Sequence, residues 1–315
     1  MLTQGHIRSA VLALLALTYA SAAADTIDPL GVPMFRIAVS EIQVTFFATD
    51  ENNHPLATVT KSDFAVVDNE YVVRNFRSLT RSDEASLDVV ALVDLSESVA
   101  PRFRAAMSDV MQLVAREQSI PDDNLSVLTF GGMSGGMGPV ILCSNGCHAS
   151  DTMSKLQAMK SGSATPLFDA LIFGADFNSH HCRPGVRPVL ILFSDGNDTI
   201  SLHSAREALD AVLARGALIY SVDIGTPESR SPGSVFLRRV SDATGGRYFT
   251  LRSSQQGGTA TVLNAALEDL RDSYVVTYDL PSHQAGFHSL RLLPTHNLNL
   301  TFHSRNGYYY EPSAP

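Results

Sequence analysis

Tryptophan is absent from the 315 residues, and cysteine occurs only three times. Basic side chains are also in short supply: 23 Lys and Arg stand against 32 Asp and Glu, a formal charge of −9. The cations are scattered, with no basic block, so the chain lacks the electrostatic footprint that a phosphate backbone requires, and no nucleic-acid partner is expected. Long apolar runs are missing beyond the first two dozen residues. A helix that crosses a bilayer needs about 20 consecutive apolar residues, so no membrane span is expected in the mature chain. Three cysteines, Cys143, Cys147 and Cys182, allow one disulfide and leave one thiol in an oxidising compartment. The pairing stays open: Cys143 with Cys147 closes a tight loop around Asn145-Gly146, whereas Cys147 with Cys182 staples two loops. A zinc site that adds His148, His180 and His181 matches no common zinc spacing, and export favours the disulfide.

What is present begins with a targeting signature. Arg8 and the amino terminus give a positive start, Ala10 to Ala20 is apolar, and Ala22-Ala23-Ala24 fits the small-residue cleavage rule. Residues 1–24 are therefore expected to be a signal peptide, and the mature chain an exported protein.

Four pieces of organisation follow. Residues 25–84 form a β-rich flank, with strand-like segments at 35–39 and 42–46 and a hairpin in which Asp68-Asn69-Glu70 joins Phe64–Val67 to Tyr71–Val73. Residues 85–271 alternate strand and helix. Strands are expected at 87–93, 125–130, 140–143, 188–193 and 217–224, several of them continuous apolar runs of the kind that lie between two layers of helices. Helices are expected at 101–114, 151–159, 167–177, 201–214, 235–243 and 259–271, with Gly216 and Gly245 placed as stops. This is the pattern of an α/β fold with a doubly wound, mostly parallel sheet. Residues 272–315 return to strands alone, at 274–280, 287–293, 298–302 and 308–310, and the two flanks are expected to join in one small sandwich-like module.

Three short segments carry the chemistry: Asp94-Leu95-Ser96-Glu97-Ser98, Thr165 before Pro166, and Asp195 in Ser194-Asp195-Gly196. Each lies at a strand end or a helix start, where open parallel sheets place their ligands. Taken singly they are a helix cap, a helix start and a turn. Together they offer three hydroxyls and two carboxylates, all oxygen, which suits a hard divalent cation. In that order they match the metal-ion-dependent adhesion site, and from about Leu87 to Leu270 the chain resembles the von Willebrand factor type A domain. The resemblance implies a Rossmann-like domain that binds through a metal without turnover. It further implies that Ser96, Ser98 and Thr165 bond the ion, with Asp94 and Asp195 setting its shell. Mg²⁺ is the expected ion and Mn²⁺ a substitute, because six oxygens with some retained waters suit both. The last ligand would be an Asp or Glu carboxylate from a protein partner. Glu97 departs from the small residue usual between the two serines. The layout, with Asp63-Phe64-Ala65-Val66 before the domain and Gly286-Phe287-His288 and Gly307–Tyr310 after it, is similar to a bacterial set labelled VWFA-related acidobacterial domain proteins.

Two rival functions follow from the same residues. Metal-assisted hydrolysis would need a base, for which Glu97 is the candidate. A structural subunit would use the β flanks for assembly, with the metal only steadying loops. Gly132-Met133-Ser134-Gly135-Gly136 has the spacing of a hydrolase nucleophile, but another strand follows where a helix is required. Asp169 and Asp198 are expected in supporting roles.

Overall fold

Leu87-Asp88-Val89-Val90-Ala91-Leu92-Val93-Asp94 is apolar on both alternating faces, and the fold uses both. In the computed structural model this strand (β5, Leu87–Asp94) turns Val89, Ala91 and Val93 to one buried cluster and Val90 and Leu92 to another. The structure describes residues 41–52, 54–56, 58–81, 87–99, 125–133, 138–144, 147–181, 186–225, 231–250 and 267–310. Around β5 are arranged β6 (Leu125–Phe130), β7 (Val140–Cys143), β8 (Arg187–Ser194), β9 (Leu218–Asp223) and β10 (Tyr248–Thr250), in the order β10-β9-β8-β5-β6-β7. All neighbours are parallel except β7, which runs antiparallel to β6. From β5 the chain proceeds to one side through β6 and later to the other through β8. The order therefore reverses between β5 and β8, where a crevice opens at the strands' carboxyl ends.

Helices α1 (Ala149–Ala158), α2 (Leu167–His181), α3 (Ala205–Arg215) and α4 (Pro232–Thr244) cover the sheet. Leu167, Ala170 and Leu171 of α2, Val212 of α3, and Leu237 and Val240 of α4 pack on the face of Val90 and Leu92. Leu156 of α1, with Leu267 and Leu270 of a helical turn at 267–271, packs on the other. The helix expected at 101–114 and most of that at 259–271 lie outside the described residues, as do the 1–24 segment and the strand at 35–39. Among the described residues no helix is long and apolar enough to cross a membrane.

Several boundaries differ from expectation for local reasons. Helix α3 starts at Ala205 rather than 201, because Ser204 and Glu207 form a reciprocal capping box. Helix α4 starts at Pro232, capped by Ser231. Gly216 and Gly245 end these helices in the left-handed region, with φ of 70° and 86°. The strand expected at 298–302 is displaced to β13 (Thr301–Ser304), because Asn297 folds the preceding residues into a turn, accepting from Asn299 N at 3.1 Å and Leu300 N at 3.2 Å. Cys143 is bonded to Cys147, which resolves the open pairing and leaves neither sulfur for the zinc alternative. Cys182 lies outside the described residues.

Both flanks enter two further four-stranded sheets. One has the order β13-β1-β11-β4, with β1 (Glu41–Thr49), β4 (Ser78–Arg81) and β11 (Tyr274–Asp279). The other has the order β14-β12-β2-β3, with β2 (Phe64–Asp68), β3 (Tyr71–Val73), β12 (Gly286–Pro294) and β14 (Gly307–Tyr310). Each sheet takes two strands from each end of the chain, so the module closes only when both flanks are in place. Between the sheets Phe46, Phe64, Val66, Phe76, Tyr274, Val276, Leu290 and Leu292 form one core. Phe46 and Phe64 meet at 4.9 Å between ring centroids, and Phe64 stacks on Phe76 at 5.0 Å. The β13–β14 turn docks on the helical domain: Asn306 N donates to Ala243 O at 2.8 Å and Arg305 Nη2 to Leu213 O at 2.6 Å.

His303 makes the module sensitive to acid. Its ring stacks on Phe47 at 4.5 Å with an interplanar angle of 7°, and Nε2 meets Thr49 Oγ1 at 3.1 Å. Burial, with a smaller push from Arg247, lowers its pKa from 6.5 to about 4. The unfolded chain therefore takes up this proton first. The resulting stability is complete above pH 6.5 and is lost as pH falls toward 4, by about 3 kcal/mol. In denaturant titrations His303→Phe, which keeps the stacked ring, is expected to lose less stability than the wild type across this window. Equal losses would contradict the assignment.

Candidate functional site

The β5–β8 crevice gathers the residues singled out from the sequence. Asp94, the last residue of β5, is fully buried. Its Oδ1 accepts from Ser96 N at 2.8 Å and its Oδ2 from Ser194 Oγ at 2.7 Å. Ser194 Oγ in turn accepts from Gly196 N at 3.0 Å, so one hydrogen-bonded chain ties the end of β5 to the turn after β8. Burial pushes the Asp94 carboxyl up to about 6; the bonds from Ser194 and Ser96 oppose this, and the negative charge of nearby Asp195 adds to it.

The other segments are fixed mainly through backbone. Ser96 bridges to Gly162, and Glu97 N donates to Gly162 O at 2.9 Å. Ser96 Oγ and Ser98 Oγ stand 3.1 Å apart, with Ser96 buried and Ser98 exposed. Thr165 is clamped by Thr199: its N donates to Thr199 Oγ1 at 2.7 Å, and its O accepts from Thr199 N at 3.0 Å. Asp195 Oδ1 accepts from Asn197 N at 3.0 Å. Gly131 closes the side next to β6. Its φ is +72°, and a Cβ there would lie 3.2 Å from Asp94 Oδ1, Ser96 N and Ala164 O.

The donor set is therefore all oxygen, with two carboxylates close enough to repel each other. The Thr165 hydroxyl and Asp195 Oδ2 form no hydrogen bond with any described residue, and the Ser98 hydroxyl bonds only Ser96. Uncommitted oxygens beside unneutralised negative charge fit a hard divalent cation. Among the described residues no three His, Cys, Asp or Glu side chains gather as a metal cluster, so a soft-metal site of that type has no counterpart there. Glu97 is exposed at the rim. Ser134, of the nucleophile-like motif, lies outside the described residues.

Supporting residues extend beyond those expected. Asp198 accepts from Phe168 N at 3.1 Å and Ser201 Oγ at 2.5 Å, which anchors the start of α2 behind Thr165. Asp169 accepts from Leu202 N and His203 N, fixing the loop after Thr199. Sequence reasoning missed Asp223 at the end of β9. It is buried, and it accepts from Gly225 N at 2.9 Å, Ser234 Oγ at 2.5 Å and Tyr248 OH at 2.6 Å. These bonds seat the amino end of α4 against the Asp195 turn. The signal was available: an Asp ends a strand two residues before a Gly, much as Asp195 precedes Gly196.

A doubly wound sheet with an oxygen-lined crevice at its switch point defines a ligand-binding α/β domain. The chain belongs to the von Willebrand factor type A domain family, whose model matches residues 88–266. Among solved structures it is similar to an aerotolerance-related membrane protein from Bacteroides fragilis (14% identity, 59% of this chain and 98% of that one, TM-score 0.44). It is also similar to the manganese-loaded TRAP protein of Plasmodium vivax (16% identity, 78% and 99%, TM-score 0.44). A third is proximal thread matrix protein 1 from the mussel byssus, with a zinc-occupied MIDAS motif (14% identity, 64% and 49%, TM-score 0.43). No curated protein matches the chain.

Proposed function

We propose that this is an exported protein-binding module which recognises an acidic group of its partner through a divalent cation, Mg²⁺ or Mn²⁺, held by Ser96, Ser98, Thr165, Asp94 and Asp195. The observation that carries the reading is the set of oxygens left uncommitted around two mutually repelling carboxylates. The cation, when bound, supplies positive charge to a carboxylate ligand. The protein's part is to position that charge. Asp94, with both oxygens already bonded, holds Ser96 and Ser194 in place. Ser98 stands at the exposed edge, where a partner's side chain can approach, and Thr165 is buried. Among the described residues of the crevice, Asp94 has both oxygens bonded and Asp195 is assigned to the ion, which leaves exposed Glu97 as the candidate base and suits binding better than turnover. The Cys143–Cys147 disulfide agrees with an oxidising compartment.

Selection of a random displayed-peptide library on the mature protein in Mg²⁺ tests the reading. The selected peptides are expected to share an Asp or Glu, to dissociate in EDTA, and to bind Ser98→Ala about tenfold or more weakly, as for a lost contact to a charged group. Binders that lack an acidic residue and survive EDTA would overturn it.

A further inference from the structure

The β module has its own cavity, of about 550 Å³, at the tip of the β2–β3 hairpin. That is within the range of small-ligand sites. Asn69, Glu70 and Tyr71 line it from the hairpin, and Gln284, Phe287 and His288 line it from β12 and the residues before it. These are among the residues of the Gly286-Phe287-His288 motif and the 68–70 hairpin that the metal crevice does not use.

The floor is rigid. His288 is 1% exposed and sits on fully buried Asp68. Its Nδ1 lies 3.2 Å from Asp68 Oδ1 and 3.2 Å from Tyr308 OH, and its Nε2 donates to Gln284 O at 2.7 Å. Tyr278 OH and Tyr308 OH both donate to Asp68 Oδ2, at 2.8 and 2.7 Å. The rim combines exposed rings with hydrogen-bonding groups. Tyr71 is 54% and Phe287 44% exposed. Phe287 is held in place: its ring meets Tyr309 edge-on at 5.3 Å and lies over Gly307, where a Cβ would stand 2.3 Å from its Cζ. Asn69 spends its oxygen on Ser289 N at 2.8 Å, and its amide N–H groups donate to no described residue. The Glu70 carboxylate and the Gln284 side-chain amide form no hydrogen bond with any described residue.

A held Phe287 face and an exposed Tyr71 ring beside uncommitted amide and carboxylate groups complement a ligand that is apolar on its faces and hydroxylated at its edges. A pyranose ring has that character. Its C–H face stacks on an aromatic ring while its hydroxyls bridge amides and carboxylates. No Lys or Arg lines the cavity and Glu70 carries a negative charge, so a sulfated or uronate chain is disfavoured. A peptide partner would need an apolar pocket for an anchor, and the floor here is an imidazole in a hydrogen-bonded network. We propose that the β module carries a carbohydrate-binding site for a neutral oligosaccharide chain, independent of the metal crevice.

Native gels cast with soluble neutral polysaccharides (mixed-linkage glucan, xyloglucan, galactomannan and pullulan) test this on the mature protein in EDTA. The wild type is expected to be retarded in at least one gel, with calorimetry on the matching oligosaccharide giving the affinity. Loss of a ring face that covers roughly 50 Å² of sugar weakens binding about tenfold, so Tyr71→Ala and Phe287→Ala are each expected to show that loss. Glu70→Gln should weaken binding, and Ser98→Ala should leave it unchanged. Tyr71 and Glu70 are surface residues on a hairpin, so the test survives a folding defect in the Phe287 variant. No retardation in any gel together with no signal on a printed array of neutral glycans would overturn the proposal, as would binding unchanged in Tyr71→Ala and Glu70→Gln.

Discussion

Gly196→Ala is expected to destabilise the protein by about 2–5 kcal/mol, combining a left-handed backbone with overpacking. Gly196 has φ of +78°, and a Cβ built on it would stand 2.3 Å from Gly233 O and 2.5 Å from Gly233 C. Backbone cannot yield as a flexible side-chain end can, so the amino end of α4 would have to move. The contact is reciprocal: a Cβ at Gly233 would meet Asp195 O at 2.3 Å. Displacement here reaches the crevice, because Gly196 N bonds Ser194 Oγ and Ser194 Oγ bonds Asp94. The variant should therefore show both a lower denaturant midpoint and weaker metal binding. A midpoint equal to that of the wild type would mean that α4 is not seated against this turn.

Asp94→Asn separates the site from the fold. The amide has nearly the same shape and can still accept from Ser96 N through its oxygen. It removes a charge that is fully buried and lies near Asp195. Without metal, that charge is a liability, held by hydrogen bonds against desolvation and like-charge repulsion. The variant is therefore expected to be as stable as the wild type in EDTA, or more so. With metal the order should reverse: a ligand present at 100 times its Kd adds about 2.7 kcal/mol to the wild type, and nothing to a variant that cannot bind it. Thermal melts of both proteins with EDTA and with excess Mg²⁺ read this crossing. Parallel behaviour of the two proteins in both conditions would contradict a metal role for Asp94.

The sheet and the crevice were legible because their physics is local. A strand buried on both faces must be apolar throughout, as in Val89 to Val93 and Val189 to Phe193, and its carboxyl end must carry the polar residues. The helix stops at Gly216 and Gly245 were legible for the same reason. Strand β10 was missed, because three residues beside a glycine pair have no periodicity to read. Strand β4 was missed because Ser78 to Arg81 is half exposed, and what makes it a strand is its pairing with β11, nearly two hundred residues away. The start of α3 was misplaced although Ser204 and Glu207 carry the capping-box spacing; the apolar pattern outweighed it. Asp223 was overlooked because its partners, Ser234 and Tyr248, are assembled only by the fold. The hairpin at Asn69, with φ of 53°, was readable, but the cavity beside it was not, since it needs the returning β12.

The central claim is that the β5–β8 crevice holds a divalent cation, and calorimetric titration of the protein with Mg²⁺ and with Mn²⁺ tests it most directly, with Asp94→Asn titrated alongside. Saturable one-to-one binding by the wild type, abolished in Asp94→Asn, is the predicted result. A flat titration of the wild type with both ions, or equal binding by the variant, would contradict it.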